Sequence, residues 1–164
     1  MNIKFADQEL YLDENSIFLA GPTRRNSPFD ISWRKEACDI LENLGFDGTV
    51  YIPELLQEDK FDNEDYSKQT KWEWACLEVA GAILFWVPRN MKDMPALTTN
   101  IEFGRYMAER PDHVVLGYPS CAEKMQYLDL YYREKTGRIP AGTLEDTLKE
   151  ALERLAHMRH NIRC

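Results

Sequence analysis

The chain lacks most of the features that announce a function early. Its four cysteines, Cys38, Cys76, Cys121 and Cys164, are scattered, with no CxxC pair and no histidine at ligand spacing. Neither a disulfide framework nor a zinc site has support, and the thiols read as reduced, two or three of them buried as small hydrophobes. No block of lysine or arginine appears, and the net charge is −8. That argues against the basic footprint needed for duplex DNA or a membrane surface. A nucleoside, held by stacking and a few hydrogen bonds, stays open. No apolar run approaches the length of a membrane span, and the opening MNIKFADQEL has no signal-type apolar core. The expectation is a soluble, cytoplasmic protein. The phosphate-cradling patterns GxGxxG and GxxxxGK[ST] are absent. His113, His157 and His160 have no cysteine or serine partner in a recognisable motif, so a Ser/His or Cys/His nucleophile system has no basis.

What is present alternates. At 164 residues the chain is sized for one domain with a proper core. Ile3 and Phe5 alternate with polar neighbours, as in a short strand or hairpin within residues 1–14. Ser16–Ala20 is a buried strand closed by Gly21-Pro22, and Thr49–Ile52 before Pro53 is a second. Between them Ser32 caps a helix through Asn43, its apolar positions being Trp33, Ala37, Ile40, Leu41 and Leu44, with Gly45 closing it. Residues 54–65 are acidic and read as an ordered loop or a broken helical turn. A helix follows from Tyr66 to about Ala80, with Trp72, Ala75, Cys76, Val79 and Ala80 as its core stripe and Trp74 pointing away. Residues 82–87 form the most apolar strand. A helix at Thr99–Arg110, a strand at His113–Gly117 and helices at 122–136 and 143–163 complete the chain. This rhythm gives a single doubly wound α/β domain, a parallel sheet with helices on both faces.

In such sheets ligands sit beyond the carboxyl ends of the strands, which directs attention to the loops leaving them. Glu102 arrives at the start of a helix after a loop longer than a βα connection normally takes. Thr99-Asn-Ile-Glu102 fits a capping box, a purely structural use of the carboxylate. With Ile101, Gly104, Met107 and Ala108 as the core face, Glu102 instead turns toward the strand ends. There the helix dipole would hold it ionised, as a nucleophile requires. The pattern is compatible with both. Gly21-Pro22 ends the first buried strand and lets a ligand approach the backbone, while Arg24 or Arg25 meets an anionic group or stays exposed. On the next helix Gln69 and Glu73 flank the core stripe. Glu73 is placed to accept a hydrogen bond from a base or lend it a proton, Trp72 is core or ligand platform, and Asp62 and Asp65 are further candidates in the acidic loop.

The order IFLAGPTRR, YIPE, KWEW…AGAILFWVPRN and LTTNIEFGRY resembles the nucleoside 2-deoxyribosyltransferase-like proteins over about residues 16–118. The resemblance implies a flavodoxin-like three-layer α/β/α fold, no metal or cofactor, and a homo-oligomer with sites completed across subunits. The family's nucleophilic glutamate, in an E-hydrophobic-Gly context, falls on Glu102, and the acid that protonates the departing base falls on Glu73. Where type members carry a tyrosine in the first strand, Phe18 stands here. A second acidic residue just before the nucleophile has no counterpart in Pro95–Thr98. The neighbouring subunit's contribution would come from around Cys121–Asp129.

The reaction so implied is cleavage of the N-glycosidic bond of a 2′-deoxyribonucleoside through a deoxyribosyl–Glu102 ester, with the sugar passed to another nucleobase. Trp72, Trp86 or Phe29 would sandwich the base. Hydrolysis of nucleoside 5′-monophosphates, with Arg24 or Arg25 and the Gly21 loop on the phosphate, is the alternative. A non-catalytic nucleotide sensor is the other. Trp74 and the run Tyr127–Tyr132 carry more apolar surface than a monomer needs, which predicts oligomerisation.

Overall fold

The computed structural model describes residues 1–23, 32–56 and 63–162, without the side chains of 63–65 and 159–162. Its strands are β1 (Asn2–Phe5), β2 (Ser16–Ala20), β3 (Thr49–Ile52), β4 (Ala82–Trp86) and β5 (Val114–Gly117). The helices are α1 (Trp33–Asn43), α2 (Asn63–Val79), α3 (Leu97–Glu109), α4 (Gln126–Thr136) and α5 (Leu144–Ile162). All five strands are parallel, in the order β1-β3-β2-β4-β5.

Parallel strands covered on both faces read as continuous apolar runs, and β2 and β4 are buried along their whole length. The pleat divides them. Phe18, Ala20, Ile83, Phe85, Val114 and Leu116 face one core with α2, α3 and α4. Ile17, Leu19, Ala82, Leu84, Trp86 and Val115 face the other with α1 and α5. The result is a three-layer α/β/α sandwich, as the alternation of elements predicts. After β2 the chain moves outward to β3, then returns across β2 to β4. That reversal makes the carboxyl end of β2 the switch point, where two neighbouring loops leave in opposite directions and a crevice opens.

Local chemistry explains the element ends. Ser32 caps α1, its hydroxyl accepting from the Arg34 amide at 3.2 Å. Gly45 follows α1 with φ of 75°, a left-handed stop.

Several expectations are revised. Residues 1–14 form one edge strand and no hairpin. α2 begins three residues before Tyr66, and its buried residues are Trp72, Cys76 and Leu77, with Ala80 just beyond it; Ala75 and Val79 are half-buried. In α1, Arg34 and Cys38 take buried places expected for Ile40 and Leu44. α3 is rotated from its expected face. Thr99, Phe103, Tyr106 and Met107 are buried, whereas Ile101 is 75% exposed and Ala108 is on the surface. The cause is aromatic, because Phe103 packs edge-on against Phe85 of β4 at 5.3 Å and turns the helix about that contact. His113 lies in a 3₁₀ turn just before β5.

Cys38 and Cys76 are buried, Cys121 is exposed and all three are free; Cys164 lies outside the described residues. Among the described residues, no helix is long and apolar enough to cross a membrane, and no group of His, Cys, Asp or Glu could hold a metal ion.

Candidate active site

A cleft of about 360 Å³ lies over the carboxyl ends of the strands at the switch point. Its volume falls within the range of small-molecule sites. Its walls come from five places: Ala20–Thr23 leaving β2, Arg34 of α1, Pro53 leaving β3, one side of α2, and the stretch from Asp93 into α3.

The β2 wall depends on Gly21, whose φ is 151°. A Cβ there would stand 2.2 Å from the Trp86 carbonyl oxygen and 2.9 Å from the Trp33 ring. Only glycine lets β2 pass so close to the end of β4. The Trp33 indole donates to the Pro22 carbonyl at 3.0 Å, fixing the turn from the α1 side.

Beneath that wall is a residue that sequence reasoning missed. Arg34 is 1% exposed. Its Nε donates to the Leu19 carbonyl at 2.9 Å and its Nη2 to the Gly21 carbonyl at 2.7 Å. Its Nη1 donates to Thr23 Oγ1 at 2.8 Å and to Glu54 Oε1 at 2.6 Å. Glu54, itself buried, also accepts from Ser32 Oγ at 2.8 Å. Burial lowers the Arg34 pKa, and Glu54, then Glu73 and Glu102, oppose that effect. A charged residue in the first turn of a helix reads as solvated. The signal available was the acid after the second strand, the Glu of YIPE, standing where a buried cation needs a partner.

Two carboxyl groups enter the cleft from different helices. Glu73 comes from the third turn of α2, where Gln69, one turn earlier, donates to its Oε1 at 2.9 Å. The same amide reaches the Pro53 carbonyl at 3.3 Å, tying Glu73 to the β3 exit. Burial raises the Glu73 pKa, against the opposing Gln69 hydrogen bond and the charge of Arg34. Glu102 comes from α3 and makes no hydrogen bond or ion pair among the described residues. Its pKa is raised to about 7, chiefly by burial and next by the charge of Glu73, with Arg34 pulling it down.

This overturns two expectations. α3 begins at Leu97 after Ala96, which has φ of 57°, and no side chain caps it. Glu102 therefore sits in the second turn, so Thr99 and Glu102 do not form a capping box. The dipole does not keep Glu102 at an ordinary carboxylate pKa either, since desolvation and a like charge push it up to about 7.

Of the residues expected to meet substrate, Gly21, Pro22, Gln69 and Thr99 line the cleft with Glu73 and Glu102. Phe18, Trp72 and Trp86 do not. Phe18 is 1%, Trp72 6% and Trp86 7% exposed, so all three are core. Trp72 packs edge-on to Tyr51 at 6.0 Å, and Trp86 faces the α1/α5 layer. Among the described residues, the aromatic ring that does line the cleft is that of Tyr66, 58% exposed on α2. Asp93 and Met94 add to the lining from the loop after β4. Arg24, Arg25, Phe29 and Asp62 lie outside the described residues, as does the side chain of Asp65.

A family model described as nucleoside 2-deoxyribosyltransferase like matches residues 14–120, and the chain belongs to that family. Comparison with curated proteins gives no match. The matched span covers β2 to β5 and thus the switch point, the β2 exit and both carboxylates.

Proposed function

We propose that this chain is a nucleoside 2-deoxyribosyltransferase acting through Glu102 and Glu73. The observation that carries the reading is the pair of half-buried carboxyl groups lining one cleft from α2 and α3, each pushed up by burial, with the charge of Glu73 adding to the rise at Glu102. Where two such carboxyls interact strongly, they titrate as a pair, with one proton held between the two steps. That singly protonated state suits a reaction needing one acid and one nucleophile.

The 2′-deoxynucleoside lies with C1′ between the two groups. A Glu102 carboxylate oxygen bonds to C1′ as the C1′–N bond breaks. The electron pair stays on the base nitrogen, and the Glu73 proton goes to the base, directly or at a conjugated ring atom. The product is a deoxyribosyl ester on Glu102, a neutral base and a Glu73 carboxylate. A second base then attacks C1′ through its nitrogen, Glu102 leaves as carboxylate, and Glu73 recovers a proton from the incoming base. Two displacements retain the configuration, as in glycosidases with paired carboxyls. A sugar without the electron-withdrawing 2′-hydroxyl eases the oxocarbenium-like transition state. Tyr66 offers its ring to the base, and Gly21 and Thr99 define the sugar wall.

We also infer a cytoplasmic homo-oligomer. Leu97, Ile101, Tyr127 and Leu130 are 60–79% exposed, and Trp74 is 53% exposed. That is more apolar surface than a monomer normally leaves wet. Sedimentation above monomer mass at micromolar concentration is expected; a clean monomer would remove this part.

Incubation of each deoxynucleoside with a panel of purine and pyrimidine bases tests the reaction. Exchange of bases without added cofactor is expected. Release of sugar phosphate from monophosphates alone, with no exchange, would identify a hydrolase. Inactivity on every substrate, together with a nucleotide-induced rise in Tm, would identify a sensor.

A further inference from the structure

Arg34 stands outside the reaction above, yet its placement is unusual. A fully buried guanidinium forms part of the cleft wall, paired with Glu54 from the β3 exit. Four of its five N–H groups are committed, to Leu19, Gly21, Thr23 and Glu54. Most of its donor capacity is thus spent within the protein. What those bonds do is fix the carbonyls and hydroxyl of the β2 exit, the wall against which a ligand must rest.

We propose that Arg34 is a positioning residue of this site: it ties the β2 exit to α1 and places a positive charge facing the carboxyls of Glu73 and Glu102. The proposal rests on the transferase reading for its catalytic consequence. The titratable and charged groups that line the cleft with Glu102 are Glu73 and Tyr66 from α2, Arg34 from α1 and Asp93 from the loop after β4; Glu73 and Arg34 are the two that act on its charge. Among these described residues Arg34 supplies the cation. Glu54 sets how much of that charge the carboxyls feel, because it shares the same guanidinium. Arg34 and Glu54 therefore form a graded control, with one group favouring the ionised nucleophile and the other restraining it. An arginine serves here where lysine would not, since the fork must bond three backbone or side-chain acceptors and an acid together.

The two halves of the pair predict opposite effects, which a merely structural staple does not. The full-length protein is labelled with ¹³C at the glutamate side-chain carboxyl, and Glu102 is titrated by NMR, its signal assigned by its loss in Glu102→Gln. Arg34→Gln is expected to raise the Glu102 midpoint and Glu54→Gln to lower it, each by roughly half a pH unit or more. The acidic limb of the kcat profile should move the same way. Arg34→Lys should keep the midpoint near wild type while raising KM through a loosened wall. If one neutral variant does not fold, the other decides, since their signs differ. Midpoints unmoved in the folded variants overturn the proposal, even if turnover is intact. Opposite shifts in a protein without transferase activity uphold the electrostatic role and overturn only the reaction it was assigned to.

Discussion

At the strand starts, charged groups are bound into the scaffold. Arg110 donates to the carbonyls of Leu77, Glu78 and Ala80 at 2.7–2.9 Å, closing the end of α2. Arg138 joins Glu150 to the carbonyls of Pro111 and Val114. Asp13 accepts from Thr49 Oγ1 and from the Asn15 amide. At the strand ends the chain uses the same currency for Arg34 and Glu54, then leaves two carboxyls differently placed. Glu73 has one amide partner, and Glu102 has no hydrogen bond or ion pair among the described residues. Both sets of groups are at least partly buried, so burial alone does not explain the contrast. A half-buried carboxyl with no direct hydrogen-bond or ion-pair partner costs stability. One end of the sheet is built for closure, while the other retains a charge cost that a reaction can use.

The contrast breaks most visibly at Glu102. Glu102→Gln should reduce base exchange by on the order of 10³-fold or more, with an unchanged circular dichroism spectrum. A loss of less than tenfold would place the chemistry elsewhere. Glu73→Gln should cost about 10²–10⁴-fold, the scale of a general acid. It should also lower the pH at which Glu102 ionises, because a like charge is gone; an acidic limb that moves up would contradict the coupling.

Stability gives a test without substrate. The folded Glu102 carboxyl sits near 7 rather than 4.5, so the folded state binds its proton more tightly than the unfolded chain. The penalty is absent below about pH 4.5, grows through the interval and is complete above about 7. Glu102→Gln should therefore leave the unfolding free energy unchanged at pH 4 and raise it at pH 8. The expected gain is about 1–2 kcal/mol once partial solvent screening is allowed for. Urea titrations at the two pH values measure it, and equal effects at both would refute the shifted carboxyl. The matching change at the strand starts, Arg138→Gln, should destabilise the protein at pH 8, since it removes the cation from Glu150, which keeps only the Tyr132 hydroxyl, and the guanidinium bonds to two carbonyls. Gly21→Ala should lose about 1 kcal/mol or more, because its Cβ meets the Trp86 carbonyl. A neutral result would mean that the wall yields.

Much of this was legible in sequence because parallel strands buried on both faces carry unbroken apolar runs, and SIFLA and AILFW are such runs. That Glu73 and Glu102 reach the strand-end cleft was legible too, Glu102 from the long loop before its helix and Glu73 from its place at the edge of the core stripe of its helix. Face assignments were harder. In α3, Ile101 and Phe103 compete for burial, and the winner depends on Phe85, a long-range partner that no local period reveals. The same holds for Phe18, Trp72 and Trp86, whose size marks them for either a ligand or a core; the core took them. Arg34 was hidden for the opposite reason. Its burial makes sense only with Glu54, twenty residues away, and with three acceptors of a turn that must already be folded.

A nucleophilic Glu102 must bond covalently to the sugar. Protein mixed with a 2′-deoxynucleoside and no acceptor base, acid-quenched within the first turnovers and digested, is examined by peptide mass spectrometry. A deoxyribosyl increment on the peptide carrying Glu102, absent from Glu102→Gln and discharged by adding a second base, is the predicted result. Base release with no adduct on Glu102, and a sugar product of inverted configuration, would contradict it.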